Sequence, residues 1–419
     1  MTEVRYIDAS DLDLSDLIRP GDHVVCGQAS GEPTTLTEVL VSQRANFGPI
    51  SVFLGLSLSE SFKPEHSDYI TFNSFGPMGK SRALMKAGVL NITPVHYGLI
   101  DKYIRDDIIP CDVALVSLTP PGPDGQYGFG LINDYIRAAI DKARVVIGEV
   151  NHQIPWVHSD GVPDIGKFTA IIETSRAPLI AAPVKTTPED KIIAGYIARY
   201  IEDGSVFQIG VGAIPEALGT AIKDRRNLGF HSGIAGDFLV DLMEKGIIDN
   251  SSKPFDHGTS VTAILLGRDK LYNFAKENKA IKLRPTWHTH SGDLYRLNKL
   301  VSVNSALEVD LSGQVGAEAI DGEVISAVGG QPDLVRAAHR STGGHAIIAL
   351  PSTARKGELS RIVNSLSGPV TTARSDVDVV ITEYGIADLR GKNLTQRAKE
   401  LINIAAPKHK TELLKNKTF

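Results

Sequence analysis

Short apolar runs rich in β-branched residues recur along the chain, with helical patterns between them. The segments 22–27, 50–54, 113–118, 144–150, 205–210, 346–350 and 377–382 each read as a strand. Their apolar character is continuous instead of alternating, which predicts strands in a sheet covered on both faces. Helix punctuation in the intervening segments makes the expected architecture α/β. The clearest helix spans 188–203. Thr187 is placed to cap it, Pro188 suits the first helical position, and Asp190 completes a capping-box spacing. Ile193, Tyr196, Ile197, Tyr200 and Ile201 form one apolar stripe, and Gly204 supplies the stop.

Length adds a second expectation. At 419 residues the chain exceeds what one hydrophobic core usually supports, so two domains are expected. The Pro-punctuated stretch 181–188 lies between periodic segments and places the boundary, giving domains 1–185 and 186–419. An internal echo supports two similar halves: Gly21 and Gly27 bracket one strand-like run, Gly204 and Gly210 another, at a constant offset of 183 residues. Each run leads into a small-residue turn and an apolar helical segment. Shared element order points to duplication of one domain, and two shared glycines alone would not.

Composition narrows the function. The chain is 42% hydrophobic and 22% charged, with a net charge of −5. Basic runs are no longer than Arg225-Arg226 or Lys408-His409-Lys410, so neither a nucleic-acid partner nor a polybasic membrane role is expected. The longest apolar stretches fall far short of the roughly 20 residues that span a bilayer. The first residues lack the charged-then-apolar pattern of a secretory signal, and Cys26 and Cys111 read as buried reduced thiols. A cytoplasmic location fits these features.

Three clusters are candidates for chemistry. The segment 207–218 is a strand, a glycine turn and a helix start. Gly210 and Gly212 would let backbone amides approach a ligand, and a helix beginning near Pro215 would offer unpaired N–H groups to an anion. A tight turn with no ligand explains a lone GxG as well, and Pro215 stands where a dinucleotide fingerprint has its third glycine. The second cluster joins the turn 311–316 to Gly329-Gly330-Gln331, whose amides would suit a carbonyl oxygen or a pantetheine amide; ordinary loop chemistry explains it too. The third, 229–237, contains His231, Ser232 and Asp237. A Ser-His-Asp triad is rejected there, because adjacent residues on an extended segment face opposite ways. Asp237 reads as a helix cap. No metal site is expected: His288 and His290 are the closest histidine pair and read as loop.

Taken in order, these blocks resemble the acetyl-CoA hydrolase/transferase family of class I, 4-hydroxybutyrate CoA-transferase-like enzymes. In the first half the likeness rests on Gly31–Thr34, Asp112–Val116, Pro120–Gly125 and Val145–Pro155. In the second it rests on Phe207–Pro215, Val303–Val315, Ile347–Ala354, Ser360–Val363, Val370–Asp376, Val380–Gly385, Leu389–Lys392 and Ala398–Ala405. The resemblance implies two similar open α/β domains of CoA-transferase type with the active site between them. It also implies a homodimer or homotetramer, acyl-CoA and carboxylate substrates, coenzyme A esters as substrate, and no tightly bound cofactor. The activity implied is ping-pong CoA transfer between a short-chain acyl-CoA and a carboxylate of the 4-hydroxybutyrate, butyrate or acetate type. In the family a glutamate attacks the thioester and then carries CoA as a protein thioester. By the same likeness Gln208 stabilises the oxyanion, Gln208, Ile209, Gly210, Val211 and Gly212 form the CoA-binding turn, and Gly329, Gly330 and Gln331 approach the thioester.

One departure stands out. The family's glutamate follows a Gly-x-His-Ser/Thr motif, and the residue in that place here is Gly233. Its neighbours Ile234, Ala235, Gly236 and Phe238 differ from the usual pattern too, which favours a native subgroup over a single engineered change. Such a subgroup would transfer CoA with another carboxylate, for which Glu60 and Glu32 are candidates, or hydrolyse the thioester with water, or run another acyl-CoA reaction. A catalytically degenerate CoA-ester binding protein is the alternative from a different class. A sugar-phosphate isomerase on a related α/β fold is a third and predicts no affinity for CoA.

Overall fold

The computed structural model describes residues 4–415. By its internal packing the chain divides into two units: one runs to Ala181 and takes in Thr262–Thr289, and the other holds Ala182–Val261 and the chain from His290 onward. A linear boundary at residue 185 does not describe this division, because 28 residues from the second half pack with the first unit. Residues 175–187, at the crossing, form no regular element.

The first unit is built on eight strands: β1 (Arg5–Ile7), β2 (His23–Cys26), β3 (Ile50–Leu54), β4 (Ile70–Ser74), β5 (Leu90–Ile92), β6 (Val113–Leu118), β7 (Val145–Asn151) and β8 (Ala170–Thr174). They pair in the order β1-β8-β7-β6-β2-β3-β4-β5, and every pair is parallel. Every residue of β6 and β7 is buried, as expected of strands covered on both faces. The winding reverses between β2 and β6.

The second unit carries a six-stranded sheet of β9 (Val206–Ile209), β10 (Gly229–Phe230), β11 (Leu300–Asn304), β12 (His345–Ala349), β13 (Val379–Thr382) and β14 (Gly385–Asp388). Its order is β10-β9-β11-β12-β13-β14, parallel except for the closing antiparallel pair. Here the order reverses between β9 and β11. In open α/β sheets, ligands bind at the carboxyl ends of strands where the winding reverses. Val206, Leu300, Ala346, Ile348 and Val380 anchor the core of this unit.

All seven strands expected from the apolar runs form, within a residue or two at their ends. The echo is visible in structure. Strand β2 leads through a turn into helix α1 (Thr34–Gln43), and β9 leads through a turn into a later helix, Ala213–Ala221. The helix expected over 188–203 forms as α2 (Pro188–Ile197), then tightens into a 3₁₀ turn at Ala198–Tyr200. Its capping box is complete: Thr187 Oγ1 accepts from the Asp190 N–H at 3.2 Å, and the Asp190 carboxylate accepts from the Thr187 N–H at 2.9 Å. Cys26 is buried but Cys111 is only partly so, and neither is bonded to the other. Among the described residues no helix is long and apolar enough to cross a membrane.

Candidate active site

The carboxyl end of β9 is where the second unit opens. Gln208 is only 4% exposed, and its placement follows from sheet register: Ser302 pairs with it directly on β11. The Gln208 Oε1 accepts from Ser302 Oγ at 2.7 Å and from Asn304 Nδ2 at 3.2 Å, and Asn304 Nδ2 also donates to Ser302 Oγ at 2.8 Å. With its carbonyl end held this way, the amide NH₂ of Gln208 is the end that can donate to a ligand. Ser302 and Asn304 escaped the sequence reading. Their signal was the i, i+2 spacing of two polar residues in an apolar strand, which puts both on one face.

Beyond β9 the backbone turns through Gly210 and Gly212. Gly212 has φ +134°, a conformation side chains rarely adopt. A Cβ built on either glycine would meet nothing within 4 Å, so the space above the turn is open. Helix α3 (Ala213–Ala221) begins here, two residues before the expected start at Pro215, and no side chain caps it. Its first backbone N–H groups therefore lack helical partners.

The turn forms one wall of a cavity of about 260 Å³, with Val303, Asn304 and Ser305 opposite and Ala349 at the end of β12. Pockets that enclose whole drug-sized ligands measure roughly 300–1,000 Å³, so this one takes part of a large ligand. Asp190 borders the cavity with its carboxylate held by the Thr187 N–H and hydroxyl.

Gly329 and Gly330 lead into helix α5 (Gln331–Arg340), where Gly330 is the N-cap; helix α4 (Phe238–Glu244) precedes it in the chain. The Gln331 side chain is not offered to a ligand. Its Nε2 donates to the Ser305 carbonyl at 2.6 Å and its Oε1 accepts from Thr372 at 3.0 Å. The residue thus ties the start of α5 to the cavity wall. Gln314, in the neighbouring turn, likewise donates to Asp310.

The 229–237 segment contains no triad. Ser232 Oγ donates to the Ile209 carbonyl at 2.9 Å, and the His231 backbone N–H donates to Phe207. Asp237 occupies the N-cap position of α4, but its side chain makes no capping bond, because its backbone is already helical (φ −59°, ψ −28°). Gly233 lies under the imidazole of His290. A Cβ built on Gly233 would stand 2.5 Å from Cε1 and 2.8 Å from Nε2 of that ring, and one built on Gly330 would stand 2.2 Å from Nε2. His290 is buried, 7% exposed. His288 belongs to a helical turn, Thr286–Thr289, where a loop was expected.

The two candidate substitute carboxylates lie in the first unit, and both are engaged. Glu32 is buried and accepts from the backbone amides of Leu58 and Ser59; burial raises its pKa above the usual range, partly opposed by those bonds. Glu60 is exposed and paired with Lys80 Nζ at 2.5 Å, which lowers its pKa. The sequence reading also missed a buried cluster at the carboxyl end of β2. Gln28 donates to Asp134 at 2.6 Å and to Tyr97 at 2.8 Å, and burial pushes the Asp134 carboxyl up to about 6 despite its hydrogen bonds.

Comparison with known proteins places these features in a family. Residues 4–183 match the acetyl-CoA hydrolase/transferase N-terminal domain and residues 267–417 the C-terminal domain of the same name. The segment between the two matches holds the glycine turn and Gly233. The chain is 37% identical over 396 residues to 4-hydroxybutyrate coenzyme A transferase of Clostridium kluyveri, covering 93% of this chain and 92% of that protein. In structure it is similar to RipA from Yersinia pestis, with TM-score 0.92 and 31% identity over 98% of this chain and 96% of that one. A 4-hydroxybutyrate CoA-transferase from Porphyromonas gingivalis is also similar, with TM-score 0.83 and 32% identity over the same shares. The chain belongs to the acetyl-CoA hydrolase/transferase family.

Proposed function

We propose that this protein transfers CoA between a short-chain acyl-CoA thioester and a carboxylate, with the coenzyme's pantetheine or phosphate portion seated on the β9–α3 turn. The observation that carries this reading is the cavity at the reversal between β9 and β11, walled by the open glycines 210 and 212 and the exposed end of α3. Anions suit such helix termini. Gln208 donates its amide N–H to the carbonyl oxygen as charge develops there, held for the task by Ser302 and Asn304. Gly329, with open space beside it, leaves room for the thioester, and Gln331 shapes the wall through Ser305. The names of the relatives, CoA transferases for 4-hydroxybutyrate, for cyclohexane-1-carboxylate and for butyrate with acetate, support the substrate class.

Gly233 stands where the family has its glutamate, and it cannot carry CoA. Glu32 and Glu60 are engaged elsewhere in the first unit. In this reading the acceptor supplies the carboxylate itself. Its oxygen attacks the thioester carbonyl, the C–S bond breaks to give a mixed anhydride and the CoA thiolate, and the thiolate then attacks the acceptor's carbonyl to form the new thioester and release the first acid. Both substrates must then be bound together. Initial rates of acetyl-CoA formation from butyryl-CoA and acetate are expected to give intersecting double-reciprocal lines. Parallel lines would mark a ping-pong enzyme, and absence of both turnover and CoA binding would end the proposal.

A further inference from the structure

We infer that Ser51 and His23, with Asp112 as positioning residue, form a second catalytic site in the first unit, which hydrolyses small uncharged oxygen esters through an acyl-Ser51 intermediate. The inference is independent of the CoA-ester reading, since none of these residues lines the cavity beside β9.

Strand order makes the arrangement. Asp112, one residue before β6, His23 on β2, Ser51 on β3 and Thr71 on β4 stand in one rung across four adjacent parallel strands. Side chains of one rung project from the same face. The next residues along, Val24, Val52, Phe72 and Val113, are fully buried in the core on the opposite face. Within the rung, Asp112 Oδ2 accepts from His23 Nδ1 at 2.9 Å and from the His23 backbone N–H at 2.9 Å. Burial alone would raise the Asp112 carboxyl, but the bonds from His23 hold it below the usual carboxylate range. An ionised acceptor keeps the ring proton on Nδ1 and leaves Nε2 as the basic nitrogen. The two ring nitrogens point apart, so with Nδ1 on Asp112 the basic nitrogen is on the flank where β3 carries Ser51. The Ser51 hydroxyl makes no hydrogen bond among the described residues, so turning it about Cα–Cβ toward Nε2 breaks none.

A cavity of about 520 Å³ opens over this rung, within the range of small-molecule sites. His23 and Ser51 both line it. Phe53, Ile108 and Ile109 give it an apolar wall for an acyl chain, and His23 is the one ionisable group among its described lining residues, so an uncharged substrate suits it. Asn73 supplies a donor at the wall. Its Oδ1 accepts from Asn91 at 3.3 Å, and of its two N–H bonds the Thr71 carbonyl takes one.

Nε2 takes the hydroxyl proton as Ser51 Oγ bonds to the ester carbonyl carbon, and the carbonyl electron pair moves to oxygen, where the free Asn73 N–H can meet it. The intermediate collapses, the C–O bond to the alkoxy group breaks, and the imidazolium gives its proton to the departing alcohol. Water then attacks the acyl-serine by the same proton path. The products are the alcohol, the free acid and the restored hydroxyl.

The test uses the full chain with p-nitrophenyl butyrate and, separately, with a fluorophosphonate probe followed by peptide mass spectrometry. Wild-type protein is expected to release nitrophenolate and to carry the probe on Ser51. Ser51→Ala should lose the label. Both it and His23→Gln should lose about 10²- to 10⁴-fold of the ester rate, with CoA transfer from butyryl-CoA to acetate unchanged. Asp112→Asn should lower kcat and leave KM as it is, which loss of a merely structural contact would not do. Probe on other residues only, or ester hydrolysis by Ser51→Ala at the wild-type rate, would overturn the inference. A chain that labels at Ser51 but transfers no CoA would support this site and count against the reading of the β9 cavity alone.

Discussion

At the scale of single residues, Gly233 and the His290 imidazole share one space. Introducing a glutamate at 233 alone should therefore destabilise the fold. Gly233→Glu puts its Cβ 2.5 Å from the His290 ring, and overpacking of that kind costs about 1–3 kcal/mol. Denaturant melts should show that loss, and adding His290→Gly should recover most of it. Equal destabilisation of the single and double variants would mean that the ring is not what excludes the side chain. At the glycine turn, Gly212→Val places a branched residue at φ +134° in the open space above α3. Calorimetry should show CoA affinity reduced at least tenfold, a loss of about 1.4 kcal/mol; unchanged affinity would move the coenzyme elsewhere. The glycine turn and Gln208 were legible in the sequence because their residues are neighbours in the chain. His290, Ser302 and Asn304 were not, since each meets its partner only through sheet pairing or packing across a long separation.

Asp134 gives a residue-level prediction for stability. Its carboxyl titrates near 3.8 when unfolded and at about 6 when buried in the folded protein. Between those values the folded state holds the extra proton, so stability falls as pH rises through the window and stays lower above it. The contribution is about 3 kcal/mol at most. Asp134→Asn should flatten the decline in melting midpoint between pH 4 and 6, while an unchanged slope would assign the decline to other groups.

At the scale of elements, local punctuation was the most readable feature. The box joining Thr187 and Asp190 forms as its spacing requires, and Thr187→Ala should cost about 0.5–2 kcal/mol through loss of the cap. Because Asp190 also borders the cavity, the same variant removes one of the two Thr187 bonds to its carboxylate and should weaken CoA binding. A variant with full stability and full affinity would remove α2 from both roles. Helix ends were less readable. The last turn of α2 tightens to 3₁₀ at Ala198, and α3 starts at Ala213, before the proline that marked it in sequence. Asp237 shows why: a residue type favoured at caps takes the position without making the bond, since its backbone angles are helical.

At the scale of the whole molecule, continuous apolar runs foretold sheets covered on both faces, and all seven runs form strands. What the runs could not convey was strand order, and order is what places the site. In the second unit the reversal between β9 and β11 brings Gln208, Ser302 and Asn304 together below the glycine turn. Nor did composition reveal that Thr262–Thr289 packs with the first unit, because its helix and strand signals are ordinary. The measurement that reaches the central claim most directly is borohydride treatment during turnover of butyryl-CoA, followed by mass spectrometry of the whole chain and its peptides. The expected result is turnover with every glutamate unreduced and no coenzyme attached to the protein. A reduced glutamyl residue at Glu32, Glu60 or elsewhere would show that a protein carboxylate still carries CoA, and would contradict a site in which the acceptor itself does that work.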